Sequence, residues 1–183
     1  MTTLANRPNS ALIVIDVQNA VVENAFKRDE IVRNIATVVD KARAADIPVV
    51  WVQHSDDYLT TGSDGWQIVA ELQPSEGEAI IHKNYRSSFE ATDLEDVLAA
   101  AAVGHLIVTG AQTNFCVRNT VHAAFERGYD VTVVGDGHTT SDESWNNYEL
   151  KADTIIDDFN LGFTHYDLPG RRVRLIHSTD ALV

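Results

Sequence analysis

The sequence predicts an α/β fold: a doubly wound, Rossmann-like three-layer sandwich built around a parallel sheet. Three observations carry this expectation. Short β-rich runs alternate with longer stretches of helical period along the chain. Parallel strands need crossover connections, so such alternation fits a parallel sheet with helices on both faces. The 183 residues show no internal repeat, low-complexity tract or linker, so residues 1–183 read as a single domain.

ALIVIDV (11–17) reads as a buried strand that ends at a carboxylate. Ile31, Val32, Ile35, Val38, Val39 and Ala42 then follow helical spacing. IPVVWVQH (47–54) is a second strand, with Pro48 at its start, where a missing N–H is tolerated. HSDDYLTTGSDGW (54–66) is a polar loop of functional length. EAIIHK (78–83) is a third strand. A helix is expected over Thr92–Ala102, with Thr92 and Glu95 at capping-box spacing. HLIVTG (105–110) is a fourth strand. Val117, Val121, Ala124 and Phe125 mark one face of the next helix, which stops at Gly128. YDVTVVGD (129–136) is a fifth strand, residues 142–160 read as helical, and RVRLIH (172–177) is a sixth strand.

Composition excludes several function classes. Fourteen Lys plus Arg against 27 Asp plus Glu give a net charge of −13, which argues against a nucleic-acid surface. No apolar run approaches the roughly 18–20 residues of a membrane span, so no membrane partner is expected. A single cysteine cannot form an internal disulfide, and MTTLANRPNSALIVIDVQ has no basic region before its apolar run. The expected location is cytoplasmic.

Parallel sheets bind ligands at the carboxyl ends of their strands, beside a topological switch point. Asp16 closes the first strand, Lys83 closes the third, and Cys116 lies in the first turn of the helix after the fourth. All three belong to one edge. A thiol at a helix start meets unpaired backbone N–H groups and the positive end of the dipole, which lower its pKa. The same N–H groups suit an oxyanion. An adjacent ammonium favours the thiolate, and an adjacent carboxylate can take its proton and return it to a leaving amine.

ALIVIDVQNAVV, HKNYRSSFEATDLEDVL and VTGAQTNFCVRNTVHAAFERGYDVTVVGDG resemble, in order and spacing, the three motif blocks of the isochorismatase-like cysteine hydrolases. The likeness covers most of residues 10–140. It implies a sheet of order 3-2-1-4-5-6 and an Asp-Lys-Cys triad at Asp16, Lys83 and Cys116. It also implies a cis peptide between Ala111 and Gln112, aiming the Gln112 and Cys116 N–H groups at a substrate oxygen, with Thr113 or Asn114 capping the helix. Gln18, in the DVQ motif, is expected to help position substrate. Phe115, Tyr85, Trp66 and Tyr58 are the candidate substrate-binding aromatics. Members of the family are commonly homo-oligomers, so a dimer or tetramer is expected.

Metal-binding nicotinamidases of this family carry an Asp and several His residues after the second strand. Here that region holds His54, Asp56 and Asp57 with no second His before His82, which is a poor match to a three- or four-ligand site. Neither a metal nor another cofactor is expected. The acidic balance and the long loop favour a substrate larger than nicotinamide, and a cationic one. His122 is expected on another helix face from Cys116, and His138 is a rival to Asp16 as base. The expected reaction is hydrolysis of a C–N bond in a small amide, carbamoyl or lactam compound through a thioester. Two alternatives stay open: vinyl-ether hydrolysis of the isochorismatase type, and a non-catalytic, ligand- or partner-binding member of the fold.

Overall fold

The computed structural model describes residues 2–166 and 168–181. Strand β1 (Asn9–Ile15) lies at the centre of a six-stranded parallel sheet. It is followed by the single turn α1 (Asn19–Val22), helix α2 (Arg28–Ala44), β2 (Val49–His54) and β3 (Ala79–Lys83). Then come α3 (Leu94–Ala100), β4 (Val103–Ala111), α4 (Arg118–Arg127) and β5 (Asp130–Thr139). The chain ends with a hairpin of β6 (Glu143–Trp145) and β7 (Tyr148–Leu150), helix α5 (Ala152–Thr164) and β8 (Val173–Ile176). The sheet order is β3-β2-β1-β4-β5-β8. The expected order is therefore found, with β8 as the strand read as sixth.

Side-chain alternation sets the three layers. Leu12 and Val14 of β1, with Val49 and Trp51 of β2, pack under Val32, Ile35, Val38 and Val39 of α2. Ile13 and Ile15, with Val50, Val52 and Val108, meet α3, α4 and α5 on the opposite face through Leu94, Val121, Phe125 and Phe159. Helix α2 carries Asp29 and Glu30 in its first turn and Lys41 and Arg43 in its last, in the sense that complements its dipole.

Register brings the strand ends together. Ile15 pairs with Val52 on one side and Gly110 on the other, and His54 pairs with Lys83. Gly110 adopts φ +125°, and a Cβ there would collide with the Ile15 carbonyl oxygen and sit 2.6 Å from its nitrogen. Only glycine allows β4 to approach β1 this closely at that position. The sheet order reverses between β1 and β4, which places the switch point beside Ile15 and Ala111.

Two local expectations are corrected. Residues 142–160 are not one helix: Glu143–Leu150 form an antiparallel hairpin, and α5 begins at Ala152. Asn146 and Asn147 turn the hairpin at φ 46° and 67°, the paired left-handed conformation that a two-residue turn demands. The capping box at Thr92 does not form. Thr92 Oγ1 donates to the Ser88 carbonyl at 2.6 Å, while Glu95 is held by Arg7 and Tyr129 at 2.7 and 2.9 Å. The loop after β2 is anchored by buried Leu59, Val69 and Leu72 and by a bridge between Gln18 and Ile68. Among the described residues no helix is long and apolar enough to cross a membrane.

Candidate active site

Asp16 follows β1 directly and takes a left-handed conformation, φ 49°, with its N–H bonded to the Val52 carbonyl at 2.9 Å. Aspartate tolerates that region better than most residues. Lys83, the last residue of β3, is buried, and its Nζ lies 2.7 Å from Asp16 Oδ2 and 3.2 Å from Cys116 Sγ. The approach to Asp16 is close but off hydrogen-bond alignment, so both carboxylate oxygens keep accepting capacity. Lys83 Nζ also lies 3.2 Å from the Tyr85 carbonyl oxygen and 3.3 Å from His54 Nδ1. An acid, an ammonium and a thiol thus meet at the switch point.

The peptide between Ala111 and Gln112 is cis. The chain then enters a widened first turn in which the Val117 N–H donates to the Gln112 carbonyl at 3.2 Å. Cys116 sits in this turn with 8% of its surface exposed. Neither Thr113 nor Asn114 caps the helix. Thr113 Oγ1 bonds to His138 Nδ1 at 2.9 Å, and Asn114 Oδ1 accepts from Thr140 at 2.7 Å, so both tie the turn to β5 and the residue after it.

Electrostatics correct one further expectation. The Cys116 thiol is not lowered: burial, and then the charge of Asp16, push it up to about 12 against the opposing effect of Lys83. Burial also raises the Asp16 carboxyl, with Lys83 pulling the other way. Loss of the thiol proton to solvent would leave the buried cluster with an extra negative charge. Transfer from Cys116 to Asp16 would leave its total charge unchanged. The arrangement therefore suits internal proton transfer rather than a standing thiolate.

A cavity of about 570 Å³ opens over this cluster. Its wall includes Asp16, Cys116, Gln112, Phe115, Tyr85 and Tyr58. Gln18 and Trp66, expected to touch substrate, do not line it. Gln18 is fully buried and clamps the end of β2, accepting from the His54 N–H at 2.8 Å and donating to the His54 and Trp66 carbonyls. Trp66 stacks on His82 with ring centroids 5.5 Å apart.

His138 lies outside the cavity wall and is fully buried. Its Nε2 faces Asn160 Oδ1 at 2.9 Å, so it donates there, and Nδ1 accepts from Thr113. Burial lowers its pKa to about 4 and keeps it neutral. It braces the turn rather than rivalling Asp16. His122 likewise points away, bonded to the Tyr166 hydroxyl at 2.7 Å.

Two wall residues were not placed at the catalytic or substrate site from the sequence, His54 having been weighed only as a metal ligand. His54 pairs in register with Lys83 and joins Lys83 to Asp56, with Nε2 3.2 Å from Asp56 Oδ2. It closes β2 at the same edge as Asp16 and Lys83, so the same strand-end criterion would have found it. Arg86 lies three residues past Lys83 and holds its guanidinium 4.1 Å from the Phe115 ring centroid. Its adjacency to the Lys83 motif was the available signal. Among the described residues, no three His, Cys, Asp or Glu side chains converge as a metal site.

Fold and cluster together define a doubly wound α/β protein with an acid, an ammonium and a thiol gathered at the sheet's switch point. The isochorismatase domain matches residues 10–160, and the chain belongs to that family. It is 31% identical to the ureidoacrylate amidohydrolase RutB of an Enterobacter species, over 74% of this chain and 81% of that one. It is 33% identical to streptothricin hydrolase of Streptomyces noursei, over 77% of this chain and 58% of the relative's length. A secreted isochorismatase effector of Verticillium dahliae, Isc1, is 32% identical over 72% of this chain and 73% of its own. The crystal structure of an isochorismatase hydrolase from Oleispira antarctica superposes with a TM-score of 0.84 at 26% identity, covering 100% of this chain and 99% of that one.

Proposed function

We propose that this chain hydrolyses a C–N bond in a small amide, carbamoyl or lactam-like compound through a thioester on Cys116. The observation that carries the proposal is the buried Lys83 ammonium, within 2.7 Å of Asp16 and 3.2 Å of Cys116, under the cavity. The names of two relatives, an amidohydrolase and a streptothricin hydrolase, support the same chemistry.

Asp16 takes the Cys116 proton as sulfur attacks the carbonyl carbon. The N–H groups of Gln112 and Cys116 are the proposed oxyanion donors, beside the cis peptide that follows Ala111. Lys83 keeps its proton and offsets negative charge as it moves from carboxylate to sulfur to oxygen. The tetrahedral intermediate collapses, the C–N bond breaks, and Asp16 gives its proton to the leaving amine. Water then loses a proton to Asp16 and attacks the thioester. The acid product departs, and the proton returns to sulfur.

Turnover of a panel of primary amides, ureido compounds and lactams tests this reading. Cys116→Ala should lower kcat by about 10³-fold or more on any compound the wild type accepts. Full turnover by that variant would overturn the thioester route.

A further inference from the structure

The cavity does not share the strong negative charge of the whole molecule: Asp16 and Asp56 are balanced in net charge by Lys83 and Arg86. Net charge of −13 favours cations in the surrounding solvent. The cavity wall carries two carboxylates, and each has partners of its own within the protein. Asp16 is matched by Lys83. Asp56 accepts from the Tyr58 and Leu59 N–H groups, each at 2.8 Å, and from His54. These bonds hold its carboxyl below the ordinary range, so it stays an anion with its lone pairs in use.

Arg86 is the one Lys or Arg on that wall among the described residues. Its guanidinium has no carboxylate partner there and rests on the Phe115 ring, 4.1 Å from the centroid. A ring face holds a guanidinium flat and leaves its edge N–H groups free to fork onto two oxygens. Phe115 adjoins Cys116 in sequence, so the free edge and the sulfur serve the same cavity.

We infer that Arg86 is a specificity-determining residue that receives a carboxylate on the substrate. This deepens the proposed amide hydrolysis and rests on it: the compound would carry a scissile C–N bond for Cys116 and a carboxylate for Arg86. A monoanion fits better than a phosphate dianion. One unmatched cation meets one negative charge, and Asp16 and Asp56 on the same wall would repel a second.

The probes are N-carbamoylglycine and N-carbamoyl-β-alanine, each beside its neutral carboxamide. Binding is measured by calorimetry on the Cys116→Ala protein, which needs no turnover, and kcat/KM on the wild type. The acids should bind about 10- to 100-fold more tightly than the carboxamides, the range of a charge-assisted hydrogen-bonded pair. Arg86→Gln in the Cys116→Ala background should bring that ratio to about one. Arg86→Glu should reverse it for an amine-bearing analogue, N-carbamoyl-ethylenediamine. In the wild type the preference should lie in KM more than in kcat. Equal or absent binding of acids and carboxamides across the panel, or a ratio unmoved by Arg86→Gln, overturns the inference. Acid-selective binding without turnover would keep the Arg86 assignment and sink the hydrolase proposal. Turnover indifferent to charge would do the reverse.

Discussion

Asp16→Asn should move the chemistry of Cys116 and the rate of hydrolysis in opposite directions. In the wild type the thiol lies at about 12. At about pH 8 a thiol so placed is ionised in roughly one molecule in 10⁴, equivalent to roughly 5 kcal/mol at 1.36 kcal/mol per unit. Burial is the largest cause, and the charge of Asp16 raises the thiol further. Asparagine keeps the shape and removes that charge. It also leaves the Lys83 ammonium buried without its carboxylate, so a thiolate becomes the available counter-ion at 3.2 Å. The pH midpoint of thiolate absorbance, and of alkylation by iodoacetamide, should therefore fall below its wild-type value. Turnover should nevertheless drop by about 10²- to 10⁴-fold, the usual contribution of a general base, because no group remains to take and return the proton. A midpoint that stays or rises, or hydrolysis that persists at the wild-type rate, would refute this view of the cluster.

Three further perturbations separate the supports of the site. Lys83→Met should abolish hydrolysis and cost about 3–5 kcal/mol of stability, since it strands a buried carboxylate; denaturant midpoints give the value, and a loss under about 1 kcal/mol would contradict the buried pair. Gly110→Ala should prevent folding or cost more than about 4 kcal/mol, because its Cβ strikes the Ile15 backbone; a soluble protein with an unchanged melting temperature would contradict that contact. His138 is neutral when folded, its pKa lowered by burial to about 4 from an ordinary 6.5. The unfolded chain takes up that proton first, so acidification favours unfolding. This contribution is complete above about pH 6.5 and is lost as pH falls toward about 4, a span of roughly 3 kcal/mol. His138→Gln should flatten the stability curve in that window, and an unchanged slope would argue against the buried neutral ring.

The frame of the fold was legible because β1, β2 and β4 are apolar runs and because α2 repeats its apolar residues at helical spacing. Asp16 and Lys83 could be put on one edge by strand-end position and Cys116 by its place just past β4, while the family likeness joined them as a triad. Their strand order came from the family likeness rather than from spacing. The hairpin was missed although WNNY carried its signal: two asparagines accept the left-handed turn that a helix would forbid. Burial was the information least available. The helix-start reasoning for a lowered thiol pKa left out the desolvation that raises it, and the Gln18 amide looked available to substrate until the end of β2 closed around it. Adjacency to Lys83 was the one sequence signal for Arg86, and it was not enough, because an unmatched cation is recognised only when every neighbouring anion has been assigned a partner.

Rapid-quench intact-mass measurement during turnover of an accepted amide tests the Cys116 mechanism most directly. Wild-type protein should gain the mass of the acyl fragment without the amine, on a peptide containing Cys116, and lose it as hydrolysis completes. Lasting absence of that adduct while product accumulates, or its appearance on another side chain, would contradict the mechanism.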